Sequence, residues 1–411
     1  MGKTHAAALK YLCFAVLVLF GAPKVGVKIG PIPIYLIDFL IFLMLYHLRK
    51  LPNLPYRIPY VSLVRFILFM ILTNEFLNGL RIGTLIQPFY LMVRMSLAVS
   101  LFFALPKIIR KPKDLSKIIK YSLIGVFITA TLLIFSSLPF TRSISAILLT
   151  NPILMPNADS LGQTLIKAGS NVDRGTSLIG VSILSGAFLN VIWPLLFLLL
   201  TFYKPKGILR HLLYITLALI PVGIIMTYSR GAILALLLIV FGMVFFQKGK
   251  YRQAVLGLLV ITYFGFNFIG FQSELFMFDR IERRTIAALN NPYDDVQESE
   301  RINAYVEPFG HILKNPRYLF IGEGFAKSKV RRSPKLSGGM NRADHAVFAK
   351  AYYSYGMITS LSLVFLYLFL LNYTFKIIKK TPNSSLFSSK LTRVLFVVLI
   401  GFSSWFVFGH A

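Results

Sequence analysis

The chain has 411 residues, of which 56% are hydrophobic, 14% aromatic and only 14% charged, where a soluble domain carries about a quarter. Its formal net charge of +29 invites a nucleic-acid partner, but the cations gather in gaps between apolar blocks and form no groove-like patch, which argues for a polytopic membrane protein and against nucleic acid. The single cysteine, Cys13, rules out an intrachain disulfide, and the histidines and cysteine show no zinc-site spacing.

Apolar runs of about 18 residues or more read as membrane-spanning helices. The first, MGKTHAAALKYLCFAVLVLFGAP, has the charged start and short apolar core of a signal peptide. The chain continues straight into further apolar runs, so the segment reads as an uncleaved first span, centred near Val16. Further centres follow near Leu40, Leu68, Leu97 and Ile128. A mostly polar loop over 141–176 precedes centres near Trp193, Leu217, Leu236 and Leu259, and a long gap precedes the last two, near Val364 and Val398. No internal repeat is evident. The expected fold class is an all-α polytopic membrane helix bundle of about eleven transmembrane helices, or about twelve, with one large extracytoplasmic loop containing short helices. Residues 1–270 hold transmembrane helices 1–9, 271–345 the large periplasmic or extracellular loop, and 346–411 helices 10–11, all in a single integral membrane domain.

Lysine and arginine concentrate in short cytoplasmic loops. With the N-terminus inside, the inside gaps hold 22 of them and the short outside gaps 7. The richest inside gap is PKIIRKPKDLSKIIK, beginning at Pro106. This orientation turns the long loop, Arg230 and His345 to the outside, and no Gly-rich nucleotide-phosphate loop is present. The loop itself is not a linker, because it carries ten of the fifteen acidic residues and twelve basic ones. Within it, DDVQESERINAYVEPFGHILKNP has apolar residues at helical spacing, with Asp295 and Glu298 as a capping pair and Pro316 as a stop. YLFIGEGF then predicts a turn at Gly322 and Gly324, followed by the basic run KVRRSPKLSGGMNRADH.

Five side chains are candidates for chemistry. Arg230 stands in TYSRGAILALLLIV, between two apolar stretches. Its guanidinium is a permanent planar fork that matches phosphate, though an interfacial arginine also snorkels to lipid headgroups. Arg301, in ESERINAY, is either a second phosphate-binding cation or a solvated partner of Glu298 or Glu307. His345, in ADHAVFAKAYYSYG, titrates near neutral pH and suits a general base, or it is simply a polar residue at the start of the tenth span. Asp344 orients it or caps the helix that follows. Arg65 and Arg94 lie within apolar spans, where a charge is costly. They line a lipid-phosphate cavity or make structural pairs, with Asp38 and Glu75 as partners.

In this order, TYSRGAIL, ERINAYVEPFGHILKNPRYLFIGEGF and DHAVFAKAYYSYG resemble the O-antigen ligase and O-antigen polymerase superfamily, the bacterial polytopic membrane enzymes that join surface glycans. The resemblance runs over roughly Leu178 to Leu371. It departs at Ala346, where the family often has asparagine, and in the number of spans, one fewer here than is typical. The resemblance implies extracytoplasmic transfer of an oligosaccharide from a polyprenyl pyrophosphate, such as undecaprenyl pyrophosphate, to a glycan hydroxyl. The transfer is inverting and metal-independent and takes no cofactor. Polymerase is the expected activity. The alternatives are a ligase that moves the glycan to lipid A core in lipopolysaccharide, and a polytopic transporter. By resemblance, Arg230 and Arg301 stabilise the departing pyrophosphate, Arg94 and Arg65 help bind it, and His345 is the base. Tyr352, Tyr353 and Tyr355 shape an acceptor path or belong to an interfacial aromatic belt. The implied partners are the lipid-linked donor, the glycan or lipid A core acceptor, membrane lipid and a chain-length regulator. The implied location is the bacterial inner (cytoplasmic) membrane, with the N-terminus cytoplasmic and the active site facing the periplasm.

Overall fold

The computed structural model of the chain describes residues 2–29, 32–51, 60–83, 85–138, 141–154, 177–179, 182–200, 205–227, 229–246, 252–253, 255–257, 260, 312–322, 347–380 and 387–408. In chain order the principal elements are α1 (Gly2–Gly21), β1 (Gly26–Ile29), β2 (Ile32–Tyr35), α2 (Leu36–Leu48), α3 (Val61–Ile82), α4 (Ile86–Ile108), α5 (Pro112–Ser137) and α6 (Arg142–Thr150). They continue with α7 (Ser182–Leu198), α8 (Ile208–Met226), α9 (Arg230–Phe246), a 3₁₀ turn (Pro316–Leu319), α10 (Val347–Tyr355), α11 (Met357–Lys380) and α12 (Phe387–Phe408).

Six of these helices are long and apolar enough to cross a membrane: α1, α3, α4, α5, α8 and α11. Helices α2, α7 and α9 are apolar but shorter. The expected span centres all fall in helices except Leu259, which lies outside the described residues. The chain is therefore a helical membrane protein.

The described residues are mostly helical, consistent with the expected all-α membrane bundle, and two details add to that expectation. First, β1 and β2 form a short antiparallel hairpin, pairing Gly26 with Tyr35 and Ile29 with Ile32. The segment GVKIGPIPIY alternates β-branched residues around a Gly-Pro turn, which favours strand over helix. The tenth span also starts later than expected. Helix α10 ends at Tyr355, Gly356 takes φ +85°, and the span-length helix begins at Met357. His345 is thus twelve residues upstream of that span.

The chain divides into two compact units. The first comprises residues 1–59, 97–259 and 373–402. Here α1 packs against α5 and α2, and α5 packs against α7 and α8. Glycine lets α1 and α5 meet backbone to backbone: a Cβ on Gly125 would lie 2.8 Å from the Gly21 nitrogen. The Thr129 hydroxyl then donates across the seam to the Phe20 carbonyl. Small residues and interhelical hydrogen bonds hold membrane helices together where no hydrophobic driving force exists between them. The start of α5 is fixed by Pro112 and by Asp114, whose carboxylate accepts the Lys111 N–H at 3.0 Å and the Arg110 N–H at 3.2 Å. His5 on α1 lies 3.8 Å from the same carboxylate. The second unit comprises residues 60–96, 260–372 and 403–411. Its apolar core joins Ile67 and Ile71 of α3 to Tyr355, with Met95, Leu363 and Leu366 around them.

Candidate functional site

In the first unit, the motif around Arg230 is a helix break built from hydroxyl groups. The Thr227 hydroxyl donates to the Ile224 carbonyl at 2.6 Å and accepts the Ser229 N–H at 3.3 Å, closing α8. Ser229 caps α9, its hydroxyl accepting the Ala232 N–H at 3.3 Å. Both side chains are fully buried. Arg230 is the first residue of α9. Helix α7 lies close: a Cβ on Gly186 would come 2.8 Å from the Ala232 methyl, and Asn190 donates to the Ala232 carbonyl at 2.8 Å. The Oδ1 of Asn190 is buried and has no hydrogen-bond partner among the described residues.

In the second unit, a polar cluster ties three segments that are far apart in sequence. Asn74, Glu75 and Asn78 of α3 are buried, at 2% exposure or less. The Asn74 amide oxygen accepts the Gly322 N–H at 2.8 Å. Its amide nitrogen donates to the Tyr355 carbonyl at 3.2 Å and reaches the Phe320 carbonyl at 3.4 Å. Asn78 donates to the Gly322 carbonyl at 3.3 Å. The Tyr355 hydroxyl hydrogen-bonds the Glu75 carboxylate. The Gly322 turn lies directly on the end of α10, because a Cβ on Gly322 would overlap the backbone of Ser354 and Tyr355. A Cβ on Gly356 would lie 2.8 Å from the Phe320 carbonyl carbon. Both glycines are therefore required by close backbone approach, and Gly356 by its positive φ as well. Asn74 stands eight residues before the end of α3, about 12 Å along the axis. The turn is thus held beside a span, where non-helical backbone survives only if protein satisfies its polar groups. Asn74 and Asn78 do that.

Aromatic packing extends the cluster. Tyr352 is fully buried and lies edge-on to Tyr353 at 4.9 Å and tilted to Tyr318 at 6.1 Å. All three tyrosines named from the sequence are buried within the protein, which removes them from an exposed aromatic belt. Arg317 lies over the Tyr318 ring, its Cζ 4.8 Å from the centroid, and donates to the Tyr318 hydroxyl at 3.1 Å.

The five predicted site residues are distributed as follows. Arg230 opens α9 in the first unit. Arg65, on α3, is exposed, and Arg94, on α4, is half-buried with its guanidinium 5.7 Å from the Tyr90 ring centre. Glu75 stands ten residues beyond Arg65 on the same helix, about 15 Å further along, and takes the Tyr355 hydroxyl. Arg301 and His345 lie outside the described residues, as do Gly324 and most of the expected loop helix. Of that helix, residues 312–314 are helical, and Pro316 starts the 3₁₀ turn instead of continuing them. The sequence reading passed over Asn74, Asn78, Gly356 and Tyr318. For the two asparagines the signal is NEFLN, a polar cluster at one- and four-residue spacing inside an apolar span, where polar groups mark function or a partner.

Compared with the models of known protein families and with curated proteins, the chain matches none.

Proposed function

We propose that this chain transfers a glycan from a polyprenyl pyrophosphate to a hydroxyl acceptor, as a surface-polysaccharide polymerase of the O-antigen ligase and polymerase kind. The observation that carries the reading is the junction of Tyr318–Gly322 with Tyr352–Gly356. These are parts of two of the three sequence pieces that carry the resemblance, and they meet in space although some thirty residues separate them. The third piece supports it in that Arg230 is the first residue of α9, and a helix N-terminus is a place where backbone N–H groups bind anions.

In this reading the chain spans the membrane about eleven or twelve times, with the N-terminus cytoplasmic and the long loop outside. The acceptor oxygen attacks the anomeric carbon of the donor, and the bond from that carbon to the pyrophosphate oxygen breaks. The electron pair leaves with the pyrophosphate, whose growing charge Arg230 and Arg301 stabilise, with Arg94 and Arg65 helping to bind it. His345 takes the acceptor proton. Direct attack inverts the anomeric centre. The Asn74–Gly322 clamp holds the Gly322 turn against the end of α10.

The test is surface-glycan chain length in a host lacking the gene, complemented with wild type, His345→Ala, Arg230→Ala or Arg301→Ala at equal membrane levels. Wild type restores long glycan and the variants lose it, by a factor of about 10²–10⁴ in rate for loss of the base. Single repeat units on the surface mark a polymerase, and glycan held on its lipid carrier marks a ligase. Full restoration by all three variants would overturn the transferase reading and favour a transporter.

A further inference from the structure

The hairpin sorts its residues by face. Val27, Ile29, Ile32 and Ile34 alternate onto one side, with Val27 opposite Ile34 and Ile29 opposite Ile32. That side is presented outward: Val27 is 57% exposed, Ile29 62% and Ile34 45%. Lys28, on the other side, is exposed too, while Tyr35 is buried. Helix α6 is turned the same way. Ser145 and Leu149 face inward, at 1% and 2% exposure, whereas Ile144 and Ile147 face outward at 59% and 71%. Leu149 packs on Leu132 of α5 and on Leu178. The two elements are joined, because Gly26 donates to the carbonyl of Ile153, itself 63% exposed. A solvated surface does not gather apolar residues in this way.

The neighbouring spans say what covers them. Helix α1 ends at Gly21 and the hairpin starts at Gly26, while α2 begins directly after β2. Helix α5 has 26 residues, about 39 Å, so it reaches the headgroup layer before α6 begins five residues later. Helix α2 has only 13 residues, about 20 Å of an apolar layer about 30 Å thick. Its outward ridge, Leu36, Phe39 and Phe42, is 41–60% exposed and runs straight on from the hairpin. The hairpin therefore occupies the membrane depth that α2 leaves unfilled. Lys28 on the hairpin is an exposed cation of the kind that pairs with lipid phosphates.

We propose that the hairpin and α6 form a lipid-binding collar, inserted in the interfacial layer at the end of the membrane where α1 finishes, and that it completes the short span of α2. An amphipathic element of this kind buries its apolar face about 5–10 Å into the headgroup and acyl boundary.

The test uses the full chain with Cys13→Ser, carrying one bimane-labelled cysteine at Val27, Ile147 or Lys28, in vesicles of zwitterionic and anionic phospholipid. Size-exclusion profiles check that each labelled chain keeps its fold. Labels at 27 and 147 lose most of their fluorescence to a lipid with a shallow doxyl group, lose less to a deep one, and resist aqueous iodide. The label at 28 is quenched by iodide more than the other two. Iodide quenching at 27 and 147 overturns the proposal in favour of a solvated face. Protection there from both iodide and doxyl lipid overturns it in favour of a protein cover, either another segment of the chain or a second copy.

Discussion

Two asparagines carry a disproportionate part of the second unit. Each stands on a span, and each hydrogen-bonds backbone groups of a turn some 240 residues later in the chain, with sequence separations of 248 for Asn74 and 244 for Asn78. Replacing Asn74 with leucine of similar volume leaves the Gly322 N–H and the Tyr355 carbonyl buried with one partner fewer. The Tyr355 carbonyl keeps the Thr359 hydroxyl, whereas losing the partner of the Gly322 N–H costs about 1–3 kcal/mol. Asn74→Leu therefore lowers the midpoint of thermal unfolding in detergent, followed by size-exclusion recovery. Asn74→Asp, which keeps the acceptor for Gly322 and loses the donor, falls between the two. Equal midpoints for Asn74→Leu and wild type would show that the clamp contributes nothing. Gly322→Ala acts from the other side of the same contact. Its methyl has no room against the Ser354 and Tyr355 backbone, so it displaces the turn.

The helices show where sequence patterning is informative and where it stops. Apolar blocks located α1, α3, α4, α5, α8 and α11 because their length alone meets the requirement of the bilayer. A reading by apolar blocks passes over a hairpin of four-residue strands, because the alternation in GVKIGPIPIY is too short to make a block of its own. Nor do they locate a break such as Gly356, because FAKAYYSYGMITSL is apolar and helical in character on both sides. The break is enforced from outside the helix, by the Phe320–Gly322 backbone lying against it. The candidate site was half legible for a similar reason. Arg230 and the buried tyrosines stand out by residue type, while Asn74 acquires meaning only through a partner remote in sequence. At the helix scale the glycine seam of α1 and α5 is the sharpest test. Gly125→Val puts a branched Cβ 2.5 Å from the Leu17 carbonyl oxygen and 2.8 Å from the Gly21 nitrogen. Its expected cost is about 1–3 kcal/mol or more, read as a lower unfolding midpoint, whereas Ala→Val changes on the lipid face leave the midpoint unchanged.

Over the whole molecule, charge makes the broadest prediction. Lysine and arginine gaps alternate along the sequence in a way that predicts an inside N-terminus. Single cysteines at Lys113 and at Lys314, in a Cys13→Ser background, are expected on opposite sides of the membrane. A membrane-impermeant maleimide applied to intact cells labels position 314, and labels 113 only after the cells are opened. Labelling of 113 in intact cells inverts the topology and moves Arg230 and the long loop to the cytoplasm.

The seam between α1 and α5 also has a consequence for biosynthesis. Helix α1 leaves the ribosome well before α5, and the glycine-lined groove that receives Gly21 belongs to that later helix, which ends only at Ser137. At about 5–20 residues per second, α1 waits on the order of 5–20 s in the bilayer before its partner arrives. During that interval α2 is already made, but the face of α1 that carries Gly21 has no α5 to pack on and stays open to lipid.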